Sequence, residues 1–154
     1  MSVMSVVVRQ HPLREDAGPF LKWAGGKKRL LPKLMPLLPA HIERYHEPFL
    51  GGGALFLHLA RLGRIRRATL ADRNPELIHA WAVIQADPEP LIAAVEQWPI
   101  NEATFYKVRA LAPRQPVRRA ARTLWLNKTC YNGLYRLNSR GGFNVPFGRY
   151  KKPR

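Results

Sequence analysis

The sequence predicts an α/β fold of the doubly wound, Rossmann-like kind, continuing into a strongly basic helical and β-hairpin region. Three observations carry that prediction. Residues 45–49 read as a short extended run that breaks over Gly51, Gly52 and Gly53 and re-emerges as the helical pattern 54–62. A second strand, residues 68–71, ends in Asp72, nineteen positions after Gly53. The chain carries a net charge of +16, and the last 54 residues hold 13 Lys and Arg against one acidic residue, Glu102.

The 154 residues suffice for one modest domain with its own core, with or without a lobe, and the 46% hydrophobic content belongs to the globular class. Residues 1–9 hold a brief Val-rich run without a cationic lead or a small-residue cleavage pattern. No later stretch is long and apolar enough for a membrane span, so the expected location is the cytoplasm. Cys130 is the only cysteine. It has no partner at metal-ligand spacing and reads as a small buried residue rather than a nucleophile, and no metal is expected.

Residues 1–19 read as a polar lead-in. Phe20-Leu21-Lys22-Trp23-Ala24-Gly25-Gly26-Lys27-Lys28-Arg29 then combines an aromatic, paired glycines and clustered cations before a helix-like stretch at 30–38. A tight turn with Lys27 near Trp23 suits a ligand carrying both a carboxylate and an adenine or sulfonium group; a core Trp with surface lysines is the plain alternative. Pro32, Pro36 and Pro39 interrupt the helix and lead into the first strand. A strand turning over glycines into a helix leaves backbone N–H groups accessible at the helix start and lets a ligand approach the main chain. A structural turn would use the same residues.

Two familiar glycine loops fail on spacing. The dinucleotide fingerprint wants a glycine or alanine three positions after Gly53, where Phe56 stands. The Walker loop wants glycine and Ser or Thr where Leu21 and Lys28 flank Gly26-Lys27. The interval from Gly53 to Asp72 nevertheless approaches the roughly 20 residues at which an acidic group on the next strand meets ribose hydroxyls, which favours an adenosine-bearing cofactor.

Beyond Asp72, Asn74 is a capping residue, Pro75 fits a first helical turn, and Leu77, Ile78, Trp81 and Ile84 form an apolar core stripe. Asp87-Pro88 opens another helix reaching about Gln97, and Asn101 caps a third running to about Leu111. Pro116 opens a helix with Val117, Ala120, Ala121 and Leu124 on one face and Arg118, Arg119 and Arg122 on the other, so that one face packs while the other meets phosphates.

Residues 127–136 alternate aromatic, amide and basic groups without a regular apolar period. Leu137, a five-residue turn at 138–142 and residues 143–146 then read as a β-hairpin. Amides and arginines read base edges, and aromatics stack on bases or wedge between them; Asn132-Gly133 is also an ordinary turn former. The basic third points to a polyanion. Nucleic acid fits better than an anionic membrane, because no basic segment has the wide apolar face of a membrane-surface helix.

Four ordered blocks resemble the Dam-type, adenine-specific DNA methyltransferases, over about residues 20–153. They are Phe20-Leu21-Lys22-Trp23-Ala24-Gly25-Gly26-Lys27; Glu47-Pro48-Phe49-Leu50-Gly51-Gly52-Gly53; Leu70-Ala71-Asp72-Arg73-Asn74; and Tyr131-Asn132-Gly133-Leu134 with Phe143-Asn144-Val145-Pro146-Phe147-Gly148-Arg149-Tyr150. Each block is modestly specific, and their order is highly specific. The resemblance implies an S-adenosylmethionine-dependent methyltransferase fold and methyl transfer to the exocyclic amino group of a flipped adenine in double-stranded DNA, as in restriction-modification or stand-alone methylation.

By resemblance, Trp23, Lys27, Phe49, Gly51, Gly53 and Asp72 form the cofactor site, with Asp72 on the ribose. Lys22 and Arg136 resemble base-reading residues, Tyr131 a side chain entering the stack, and Asn132 one that replaces displaced pairing. Leu134 and Pro146 fall at DNA-touching positions, with Arg118, Arg119 and Arg122 as the expected phosphate contacts. The implied organisation is a lead-in (1–19), a cofactor-binding α/β part (20–86) and a DNA-recognition lobe (87–154).

The family's catalytic Asp-Pro-Pro-Tyr block has no counterpart, since no Asp-Pro-Pro or Asn-Pro-Pro triplet occurs in the sequence. The chain therefore reads as an N-terminal part that is inactive alone and whose sheet a further C-terminal segment would complete. The competing expectation is a non-catalytic nucleic-acid-binding remnant.

Overall fold

The computed structural model describes residues 1–8 and 18–150. They fall into two compact units, Met1–Phe20 with Ala24–Ile78, and Leu21–Trp23 with His79–Arg154. The division between these units lies inside a helix, and the tripeptide Leu21–Trp23 groups with the second unit.

The first unit is built on a three-stranded sheet of order β1-β3-β2, with β1 at Ser2–Val7, β2 at Ile42–Glu47 and β3 at Ile65–Asp72. As the strand–loop–helix–strand pattern requires, β2 runs parallel to β3, with Tyr45 beside Ala68 and Glu47 beside Leu70. The lead-in contributes more than the sequence suggests. Residues 2–7 form an edge strand antiparallel to β3, from Ser2 beside Asp72 to Val7 beside Arg67.

β3, flanked on both sides, buries Ile65, Ala68, Leu70 and Ala71. β2 alternates, with Tyr45 and Glu47 buried and Arg44 and His46 exposed, as a strand with one covered face does.

Between β1 and β2 the prolines reduce the helix-like stretch to a 3-10 turn at Lys27–Leu30, a short helix α1 at Leu31–Leu34 and a second 3-10 turn at Met35–Leu37. Arg64 fastens the segment entering β2, donating from Nη2 to the Leu38 carbonyl at 2.7 Å and from Nε to that of Ala40 at 3.2 Å. Helix α2 spans Ala54–Arg61 and starts at Gly53, whose φ of 69° is open to glycine at little cost.

Helix α3 (Pro75–Ala86) starts as its capping residue predicts, with Asn74 Oδ1 accepting the Glu76 N–H at 3.0 Å. The second unit continues with α4 (Glu89–Glu96), α5 (Glu102–Ala110) and α6 (Pro116–Thr129). Asn101 caps α5 by accepting the Thr104 N–H at 2.8 Å, and Gln115 caps α6 by accepting that of Arg118 at 2.6 Å.

Phe105, Val108, Trp125, Leu126, Cys130 and Val145 form one buried cluster; Ala80, Leu91, Ala120 and Ala121 form another. Trp125 lies edge-on to Trp98 with centroids 6.0 Å apart, and its indole N–H reaches the Trp98 carbonyl, so burial leaves no polar atom unpaired there.

α6 extends through Thr129, so the first residues of the aperiodic segment are its last turn. A 3-10 turn at Tyr131–Gly133 follows. The expected hairpin closes with Leu137 opposite Phe143, and the Asn138 N–H bonds to the Gly142 carbonyl at 2.9 Å across the five-residue turn.

Among the described residues no helix is long and apolar enough to cross a membrane, and no group of three or more His, Cys, Asp or Glu is placed to hold a metal ion.

Candidate functional site

In the first unit the glycine loop follows β2 and is tied to the end of β3. The Leu50 N–H reaches the Ala71 carbonyl at 2.9 Å, and the Gly51 N–H donates to Asp72 Oδ2 at 3.0 Å. The other oxygen of Asp72 accepts the Asn74 N–H at 2.9 Å. This carboxylate thus holds the exits of both strands at fixed spacing, and each oxygen keeps a lone pair for a further donor such as a sugar hydroxyl. Gly51 and Gly53 have φ of 54° and 69°, in the left-handed region where a side chain is strained.

Lys27 comes to the same loop. Its ammonium donates to the Phe49 carbonyl at 3.0 Å and to Glu47 Oε1 at 3.2 Å. The Tyr45 hydroxyl donates to Glu47 Oε2 at 2.8 Å. Glu47 is 5% exposed, and these two donors give its buried carboxylate oxygens hydrogen-bond partners. Burial, followed by the Glu47 carboxylate, pushes the Tyr45 phenol well above the ordinary tyrosine range, which keeps it a donor at any working pH.

Lys27, Phe49, Gly51, Gly53 and Asp72 therefore share one rim, with Phe49 exposed. The arrangement offers a carboxylate, an ammonium and an aromatic face to a ligand lying over the loop. The remaining expected cofactor residue, Trp23, belongs by its contacts to the second unit, where its ring stands 5.6 Å from that of Tyr135.

The second unit gathers a different set. Lys22 is exposed, but its backbone is gripped by the Asn127 side chain, which accepts the Lys22 N–H at 2.9 Å and donates to its carbonyl at 2.8 Å. The Lys22 ammonium lies 4.8 Å from the centre of the Tyr150 ring, whose hydroxyl accepts the Asn132 N–H at 2.7 Å. Asn132 has φ 53°, in the left-handed region that asparagine tolerates better than most residues. Tyr131 and Leu134 are exposed beside it, and the Tyr131 N–H bonds to the carbonyl of exposed Pro146 at 2.9 Å.

On the hairpin, Arg136 donates from Nε to Asn144 Oδ1 at 2.8 Å, which aims an otherwise exposed guanidinium from one arm by an amide on the other. Tyr131, Asn132, Leu134, Arg136 and Pro146 thus lie on the 3-10 turn and hairpin. The helix arginines divide: Arg118 is exposed and Arg119 half-buried. Arg122 is half-buried and turned to the end of α5, donating to the Val108 and Arg109 carbonyls at 3.1 and 2.6 Å, so it serves as a helix cap there.

Two titratable groups next to this surface are shifted by burial. Lys128 is lowered, by desolvation first and by the Lys22 charge second. The Cys130 thiol is pushed up to about 11, mainly by burial, and stays protonated, in keeping with a packing role.

Sequence reasoning left Asn127 and Tyr150 without roles of their own. A signal for Asn127 existed: it continues the apolar stripe Ala120, Leu124 of α6 at helical spacing, and an amide on a buried stripe is there to satisfy other groups. Tyr150 is joined to Lys22 and Asn132 only by chain reversal, which no local pattern announces.

A family model described as D12 class N6 adenine-specific DNA methyltransferase matches residues 23–154. Curated relatives include the Type II methyltransferase M.MjaIII of Methanocaldococcus jannaschii, 39% identical over a match covering 90% of this chain and 55% of the relative. The Type II methyltransferase M1.LlaDCHI of Lactococcus lactis subsp. cremoris is 39% identical over 88% of this chain and 49% of its own length. The DNA adenine methylase of Escherichia coli is 41% identical over 87% of this chain and 49% of its own. The chain spans about half the length of the curated relatives it matches.

Proposed function

Because the chain belongs to the D12 class N6 adenine-specific DNA methyltransferases, we propose that it is the cofactor-binding and DNA-reading part of such an enzyme. The first unit is read as a portion of a Rossmann-like S-adenosylmethionine domain. Gly51 and Gly53 expose main chain to the cofactor, Asp72 accepts from its ribose, and Lys27 answers its carboxylate, with Phe49 as an aromatic neighbour. When bound, S-adenosylmethionine supplies an electrophilic methyl group on a sulfonium.

The second unit is read as the recognition lobe for double-stranded DNA. Lys22 and Arg136 face base edges, Tyr131 enters the stack, Asn132 takes over pairing from an adenine extruded from the helix, and Arg118 meets phosphate. Leu134 and Pro146 supply apolar contact, and Arg119 adds charge to the same helix.

The observation that carries this reading is the pairing of Asp72 with the Gly51 N–H at 3.0 Å, which sets an acidic group at the mouth of a glycine loop on the next parallel strand.

The 154 residues by themselves are proposed not to transfer methyl. The adenine amino nitrogen is a poor nucleophile, because its lone pair is delocalised into the ring, and transfer needs acceptors that polarise it and a face that stacks the flipped base. Asp72 is committed to the loop and ribose, Glu47 is buried against Lys27 and Tyr45, and no Asp-Pro-Pro or Asn-Pro-Pro triplet is present. Losing such groups costs about a hundredfold or more each.

Incubating the purified chain with duplex DNA and radiolabelled S-adenosylmethionine checks this: the expected result is background label, with label appearing once a separate segment bearing Asp-Pro-Pro-Tyr is added. Site-specific label from the chain alone, abolished by Asp72→Ala, contradicts it.

A further inference from the structure

Asn127 is 2% exposed, and its side-chain amide makes three hydrogen bonds to two pieces of main chain. Oδ1 accepts the Lys22 N–H at 2.9 Å; Nδ2 donates to the Lys22 carbonyl at 2.8 Å and to the Gly133 carbonyl at 2.9 Å. Both donors and the acceptor oxygen of this buried amide are engaged, and removing it leaves three backbone groups to find other partners.

A second contact joins the same two pieces. Gly133 has φ 62°, and a Cβ built on it would stand 2.5 Å from the Lys22 Cβ, so only glycine lets the 3-10 turn close against Lys22. Tyr150 adds a third link, its ring under the Lys22 ammonium and its hydroxyl on the Asn132 N–H.

We infer that Asn127 is a positioning residue, locking the backbone of Lys22 to the Tyr131–Gly133 turn so that Lys22 and Asn132 meet DNA as one rigid reading unit. This rests on the assignment of that surface to DNA. Asn127 touches no base. Its part is to fix the distance between two side chains that are about a hundred residues apart in sequence, which spares the ordering cost they would otherwise meet on binding.

The experiment uses the whole chain and two probes: the duplex it enriches from a pool of random sequences, and a shuffled duplex of the same composition. Asn127→Asp keeps the acceptor but turns a carboxylate on two carbonyls, and Gly133→Ala pushes Lys22 away with Asn127 intact. Either variant should lose selectivity for the enriched duplex by roughly 5- to 150-fold, the worth of one good base contact, with little change on the shuffled duplex.

Combined with Lys22→Ala, either should add nothing beyond Lys22→Ala alone. Equal losses on both duplexes, or losses that add to that of Lys22→Ala, overturn the positioning role while leaving DNA reading intact. If the unsubstituted chain enriches no sequence at all, the assignment of the surface to DNA fails first, and the positioning role falls with it.

Discussion

Lys27 shows how one side chain can serve both the fold and the proposed site. Its ammonium bridges a buried carboxylate and the carbonyl of Phe49 at the start of the glycine loop. Lys27→Met would keep the stem but leave Glu47 with Tyr45 as its one described donor. The expected loss is on the order of 1 to 3 kcal/mol of stability, because Lys27 is partly exposed and water replaces some of its contribution. Urea unfolding checks this, and a double variant that also carries Glu47→Gln should recover part of the loss, since the unpaired charge is then gone.

The placement of Asp72 beside the glycine loop was legible in the sequence, because it ends the next strand at a fixed offset from Gly53. The partnership of Tyr45 with Glu47 was not, since a Tyr two residues before a Glu on a strand is ordinary. Only burial of both on one face makes it an ion-holding pair.

Among elements, α2, α3, α5 and the paired strands β2 and β3 follow from local signals: glycines at the turn, Asn74 and Asn101 at caps, apolar periodicity within. β1 did not, because the partner of this edge strand lies about sixty to seventy residues away and its stability comes from that pairing rather than from its own residues. The end of α6 escaped for a related reason. Asn127 and Thr129 look like loop residues, yet both are buried, and Thr129 returns its hydroxyl to the Trp125 carbonyl at 2.6 Å.

The C-terminal end of α2 carries its own pH dependence. His58 is lowered below the ordinary histidine value, by burial first and then by the charges of Arg61 and Arg64. Arg61 lies 3.3 Å from His58 Nδ1, a contact that suits the neutral ring. The unfolded chain therefore binds this proton more readily than the folded one. Stability contributed by neutral His58 is present above about pH 6.5, the unfolded value, and declines as pH falls through that range. Urea midpoints measured from pH 7.5 to 5 should fall less steeply for His58→Gln than for the unsubstituted chain; parallel curves would remove His58 from the account.

For the whole molecule, the positive charge is concentrated in the C-terminal third. The last 54 residues carry 13 of the 26 basic side chains with one acidic residue among them, and they include the 3-10 turn and hairpin assigned to DNA. Exposed Arg118, without a base-directing partner, should act on phosphate. Arg118→Ala is expected to weaken binding to all duplexes and to reduce the salt slope by about one. Arg136, aimed by Asn144, should instead cost about 1 to 3 kcal/mol mainly on the preferred sequence. Fluorescence anisotropy over a salt series separates the two; uniform loss from Arg136→Ala would move it to the phosphate class.

The glycine loop and Asp72 are proposed as a cofactor cradle, and the most direct measurement is calorimetric titration of S-adenosylmethionine into the purified chain and its Asp72→Ala variant. The predicted result is saturable binding by the unsubstituted chain, weakened by about 1 to 3 kcal/mol in Asp72→Ala, the worth of a lost hydrogen bond to a charged group. Absence of binding by a folded chain, or an affinity unchanged by Asp72→Ala, would contradict it.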